Sequence, residues 1–273
     1  MKLSIRHQTR YEYQPEAAQA AMRLKLFPAA FASQKPLGWS VTVNGDPVAP
    51  LHINANGDGV GLWHCHAPVE VVEIVAEGIV ETTNADGVLR DLDQAARPAM
   101  FLRTTPLTAA NDAVIALANE IEGDDVLARL HALSALVHDK VDYRKGATDA
   151  QTTAADAVAL GAGVCQDQAH VFVAVARAAG IPARYVTGYL LDPERENPET
   201  DTHAWAEGWV DGLGWIGFDV TNQLCPTDSY VRLTSGLDAE DSSPVRGVVS
   251  GETEESMEIE VAVQQAAQSQ SQQ

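Results

Sequence analysis

Alternation of apolar and polar positions dominates the first hundred residues, and a helical period takes over beyond about residue 110. Leu3–Tyr13 alternates and carries several rings. Ala21–Leu26 follows and is stopped by Pro28, and Trp39–Val43 runs into the turn Asn44-Gly45-Asp46-Pro47. Leu51–Asn54, Val60–Cys65, Val69–Glu77 and Ile79–Thr83 come at similar spacing. Short strands this dense, with turn residues between them, predict an all-β sandwich over residues 1–85. No internal repeat is evident.

Residues 84–108 hold Pro98 and Pro106 and little periodicity, and they read as a connection. Asn111-Asp112 predicts a helix cap, with the helix running to about Ile121 before Gly123. Asp124 is the expected cap of the next helix, whose stripe is Val126, Leu130, Leu133, Leu136, Val137 and Val141. A loop follows at Tyr143–Asp149, and Thr153 with Asp156 resembles a capping box for a short helix ending at Gly161. Gly161 and Gly163 loosen the chain before Cys165. Cys165, Ala169, Phe172, Val173 and Ala176 form one stripe of a further helix, with Gly180 suited to C′ and Pro182 barring continuation. Strands return at Ala183–Leu191, His203–Val210 and Trp215–Val220, and Asp192–Asp201 reads as a mobile polar loop. Helices followed by strands predict an α+β core over residues 86–262, and residues 263–273 read as a disordered tail.

Composition narrows the function. A formal net charge of −20 argues against nucleic acid and anionic membrane surfaces as partners. Three widely spaced cysteines, Cys65, Cys165 and Cys225, make no disulfide framework. They fit a reducing compartment, and with no apolar leader or membrane-length run the expectation is a cytoplasmic protein. Trp63-His64-Cys65-His66 offers three ligand types, but on a strand the histidines face one side and the cysteine the other. No CxxC or HExxH partner accompanies it, so neither a metal nor a cofactor is expected.

Cys165 is the residue with a chemical setting. A thiol at a helix N-terminus lies near unpaired N–H groups and the positive end of the macrodipole. That setting favours thiolate and supplies donors for an oxyanion. His203 and Asp219 lie symmetrically about Asp211 in the hairpin that follows. An odd loop centred on Asp211 sets them directly opposite, and one centred on Gly212 sets them diagonally, within reach on the same face. An even loop separates them. Thiol, imidazole and carboxylate together make a nucleophile, a general base and its orienting acid. Tyr143 is a candidate oxyanion donor, and Gln166 and Trp205 are candidate pocket residues. Asp167 can cap the first turn, with a charge that opposes thiolate, and His170 reads as a packed histidine.

GVCQDQAH, GIPARYVTGYLL and THAWAEGWVDGLGWIGFDVTN, in that order, resemble the core of the bacterial transglutaminase-like superfamily, whose members are often described as cysteine proteases. RKGATDAQTTAADA resembles the segment before its cysteine, HQTRYEY the accompanying β-sandwich, and the stretch Asp241–Gly251 its closing segment. The resemblance implies a papain-like thiol fold with Cys165 as nucleophile, His203 as base and Asp219 as orienting acid. One departure is Gln168, where the family would place an aromatic; it bears on the pocket rather than the triad. The expected activity is acyl transfer from an amide of a protein or peptide substrate. Water as acceptor gives a peptidase or amidase, the preferred reading. An amine acceptor gives a transglutaminase, and an inactive scaffold is the remaining alternative.

Overall fold

The computed structural model describes residues 1–191 and 202–266. The expected mobile loop at Asp192–Asp201 and residues 267–273 of the expected tail lie outside them. The N-terminal alternation becomes β1 (Lys2–Ala17), β2 (Gln19–Phe27), β3 (Gln34–Val43), β4 (Asp46–Pro47), β5 (His52–Ile53), β6 (Gly59–Cys65) and β7 (Val69–Thr82). Along β1, Leu3, Ile5, His7, Thr9, Tyr11 and Tyr13 point inward while the residues between them do not. The two expected strands around Gly78 are one, β7. Gly78 does not break it; it lets β3 approach, since a Cβ there would overlap the Gly38 carbonyl oxygen.

The connection contributes β8 (Val88–Leu89) and two 3-10 turns, Pro98–Leu102 and Pro106–Thr108. The core follows as α1 (Asp112–Glu120), α2 (Val126–Lys140), β9 (Asp142–Tyr143), α3 (Ala154–Leu160), β10 (Ala162–Gly163), α4 (Cys165–Ala178), β11 (Ala183–Leu190), β12 (His203–Val210), β13 (Gly214–Phe218), β14 (Tyr230–Gly236), β15 (Val245–Ser250) and β16 (Glu254–Gln265). Local signals place the helix starts. The Asn111 side chain accepts from the Val114 N–H, and Thr153 with Asp156 forms the reciprocal capping box. The cap of α2 is Asp125 rather than Asp124, because Asp125 holds the extended backbone a cap needs and accepts from Ala128 N–H at 2.8 Å. Gly161 ends α3 in the left-handed conformation, φ 65°.

Helix α4 differs from the amphipathic expectation. Every residue from Asp167 to Arg177 is buried, because α1, α2 and α3 pack on it from one side and β11 and β12 from the other. Strand β12 explains how the sheet comes so close. Ala204 and Ala206 share apolar clusters with α4, and a Cβ at Gly208 would overlap Leu130 of α2. Trp205, Glu207 and Trp209 alternate onto the opposite face. The core sheet runs β14-β11-β12-β13-β8, all antiparallel, so the expected α+β arrangement of a transglutaminase-like fold is present.

The chain's end corrects the expected division. Strand β15, read with the core, pairs with β2, and β16, which runs through Gln265 into the expected tail, pairs with β1 along its length. The sandwich sheets are therefore β16-β1-β7-β3-β4 and β15-β2-β6-β5. Tyr189 of β11 and Val231 and Leu233 of β14 are buried in the sandwich core, so the two units share apolar packing.

Candidate active site

The hairpin register decides where the polar groups meet. Ala206 pairs with Phe218, Gly208 with Ile216 and Val210 with Gly214, about a three-residue loop centred on Gly212. Gly212 and Gly214 take φ of 83° and 95°, conformations that β-branched and most other side chains avoid. His203 and Asp219 are thus diagonal neighbours on one face. His203 Nε2 bonds Asp219 Oδ2 at 2.6 Å, and Cys165 and His203 line the same cleft.

Asp219 is fully buried and surrounded by donors. Its Oδ2 also accepts from Tyr230 OH and Asn222 Nδ2, each at 2.7 Å, and its Oδ1 accepts from the Asn222 N–H at 3.1 Å. Burial alone would raise its pKa, but the bonds from His203, Tyr230 and Asn222 hold it below the usual carboxylate value. Burial would likewise lower the His203 pKa; the bonds to Asp219 and Cys165 overcome this and raise it to about 10. The favoured state at neutral pH is an imidazolium between a carboxylate and the sulfur.

Cys165 is the first residue of α4, half-buried, and packs with Ala169, Tyr185 and Ala204. The first-turn N–H groups of Cys165 and Gln166 have no acceptor within the helix, which suits an oxyanion. The sulfur and His203 open on a cleft of about 460 Å³. Tyr143 and Gln166 line that cleft. Trp205 does not: it is buried behind His203, with ring centroids 6.2 Å apart, and meets Tyr230 edge-on. Its side chain stands on the sheet face away from α4, so it backs the imidazole rather than touching a cleft occupant.

The remaining expectations sort by location. Asp167 Oδ2 accepts from the Val164 N–H at 2.7 Å and from Thr148 Oγ1 at 2.6 Å, tying the loop after Tyr143 to the first turn of α4. His170 is fully buried against Tyr185. Gln168 is structural: it donates to Val141 O and accepts from Thr221 Oγ1. His64 and His66 are exposed with their rings together, and Cys65 between them is half-buried rather than in the core. Among the described residues no group of three or more His, Cys, Asp or Glu side chains could hold a metal. Sequence reasoning missed Tyr230 and Asn222. Asn222, three residues after Asp219 in a turn, left a local signal; Tyr230 arrives from β14 and left none.

Residues 115–220 match the model of the transglutaminase-like superfamily, and residues 3–81 that of the bacterial transglutaminase-like N-terminal region. The chain thus carries a transglutaminase-like core together with a bacterial transglutaminase-like N-terminal region. The first match spans the cysteine helix with its hairpin, and the second runs from β1 to β7 of the sandwich. A transglutaminase-like fold also appears in the solved structure of a "Putative Cysteine Protease" from Cytophaga hutchinsonii, with a TM-score of 0.75 and 24% identity over 98% of this chain and 92% of that one. An uncharacterized protein of Mycobacterium leprae is 27% identical, with 97% of this chain and 99% of that protein covered. A protein-glutamine gamma-glutamyltransferase of Pseudomonas aeruginosa is 39% identical over 82 residues, covering 28% of this chain and 12% of that protein. No described helix is long and apolar enough to cross a membrane.

Proposed function

We propose that the protein is a cysteine-dependent acyl-transfer enzyme that cleaves peptide or side-chain amide bonds through a thioester on Cys165, as a peptidase or amidase. The observation that supports this is the His203–Asp219 hydrogen bond beside Cys165, with both Cys165 and His203 on the wall of one cleft. In the first step Cys165 Sγ, as the thiolate paired with the His203 imidazolium, bonds to the amide carbonyl carbon, and the carbonyl pair moves to oxygen beside the first-turn N–H groups. Collapse restores the carbonyl and breaks the C–N bond, and the amine leaves with the His203 proton. In the second step water adds to the thioester, His203 takes its proton, and Cys165 departs as thiolate, restoring the ion pair. Asp219 keeps the ring oriented and stabilises its charge throughout.

A second reading replaces water by an amine, which makes the protein a transglutaminase with glutamine side chains as donors. The 82-residue similarity to a protein-glutamine gamma-glutamyltransferase favours it. One experiment tests both: mass spectrometry of proteome-derived peptides incubated with the protein, with and without a primary amine. Shortened or deamidated peptides support hydrolysis, and loss of ammonia with gain of the amine supports transamidation. Identical spectra from wild type and Cys165→Ser would leave the inactive scaffold as the reading.

A further inference from the structure

Residues 237–244 link β14 to β15, and Ala239, Ser243 and Pro244 of that segment line the cleft. The segment is tied at both ends. At its start the Ala239 N–H donates to His170 Nε2 at 3.0 Å, on the helix that carries Cys165. The His170 ring accepts there, so its proton sits on Nδ1. Ser242 Oγ bonds Thr187 Oγ1 on β11 at 2.9 Å. At its end the tie comes from the sandwich, through Lys25 of β2. The Lys25 N–H donates to Pro244 O and its Nζ donates to Asp241 O, both at 2.7 Å.

Lysine is almost never buried without a partner, and the Lys25 side chain is only 4% exposed. Its carboxylate neighbours are more distant than that carbonyl, at 3.8 Å for Asp58 and 4.0 Å for Asp241. The ammonium's shortest bond therefore goes to the backbone of a cleft wall. We infer that Lys25 is a positioning residue for the substrate cleft, by which the N-terminal sandwich holds the wall at 239–244 and sets how extended peptide donors reach Cys165. This rests on the acyl-transfer reading only for the nature of the occupant.

The test compares two thiol reagents, iodoacetamide and a tripeptidyl chloromethyl ketone, each of which alkylates sulfur with loss of halide. Lys25→Met keeps the side-chain length and the backbone bond to Pro244 but removes the ammonium. The half-saturating concentration of the peptidyl reagent should rise about tenfold, while its limiting rate and the iodoacetamide rate change less than twofold. Lys25→Arg should restore most of the loss. Equal slowing with both reagents, or no change with either, would overturn the inference. Hydrogen exchange over residues 237–244 in Lys25→Met, or in Lys25→Gln should Lys25→Met not fold, gives a second readout: faster exchange supports the tie, and unchanged exchange overturns it. Wild-type Cys165 inert to both reagents would defeat the acyl-transfer reading, while the exchange result would still decide the tie.

Discussion

Strand β12 carries two buried charge clusters four residues apart, and they serve different ends. Around Glu207, Arg184 Nε lies at 2.5 Å and Arg232 Nε at 2.9 Å, with Arg232 also 3.6 Å from Asp58. Arg184 stacks over Trp215 at 4.1 Å. All four charged side chains are sealed from solvent. Burial lowers the Arg184 pKa to about 10 despite Glu207, and the two guanidinium groups overcome burial to keep Glu207 ionised. No proton moves there near neutral pH. Around His203, an imidazole stands between a carboxylate and a sulfur that faces a cleft. Burial and charge are common to both clusters. What separates them is a titratable base beside a cleft, which under the acyl-transfer proposal makes one a reactive line and the other a joint between β11, β12, β14 and the sandwich.

Substitution should therefore separate catalysis from stability. Asp219→Asn keeps the shape but loses the orienting charge, and turnover of any substrate found in the peptide screen should fall roughly 100-fold or more. The purified variant should still unfold cooperatively, and undiminished turnover would break the comparison. Glu207→Gln leaves two buried guanidinium groups short of a counter-charge, which should lower stability by about 3–5 kcal/mol in urea unfolding. Iodoacetamide labelling of Cys165 in the folded variant should stay within about twofold of wild type, because Glu207 does not touch the reactive line.

The smallest effect is a pH dependence. The folded His203 pKa, about 10, exceeds its unfolded value of 6.5. Its pairing thus stabilises the fold fully below about pH 6.5 and is lost as pH rises toward 10. The wild-type melting temperature should fall over that window more than that of Asp219→Asn, and parallel curves would contradict the assignment of the charge to His203.

Local chemistry is legible in the amino-acid sequence. Thr153 with Asp156 and Gly161 are read from neighbouring residues, because caps and tight turns are decided within a few positions, whereas the turn at Asp211–Gly214 is read without its centre, which lies at Gly212 in the structure. The bond between His203 and Asp219 follows from that centre. Long-range pairing is not legible. Nothing in Val245–Ser250 or Glu254–Gln265 tells β2 and β1 from any other strand, since alternation specifies a face and not a partner. Trp205 shows the same limit: alternation places it with His203 but not behind it. Tyr230 and the wall at 239–244 reach the site only through sheet order, and the burial of α4 from Asp167 to Arg177 depends on three helices and two strands that each show only their own pattern.

The central claim is that Cys165 alone among the three cysteines is an activated nucleophile, and competitive alkylation tests it most directly. Cys65 Sγ donates to the Ala67 carbonyl, and burial pushes the Cys225 thiol up. Limiting iodoacetamide at about pH 6, where an ordinary thiol is almost wholly protonated, followed by peptide mapping of the folded protein, should find label on Cys165 first and should find it slowed about tenfold or more in His203→Ala. Label on Cys65 or Cys225 ahead of Cys165, or an unchanged rate in His203→Ala, would contradict it.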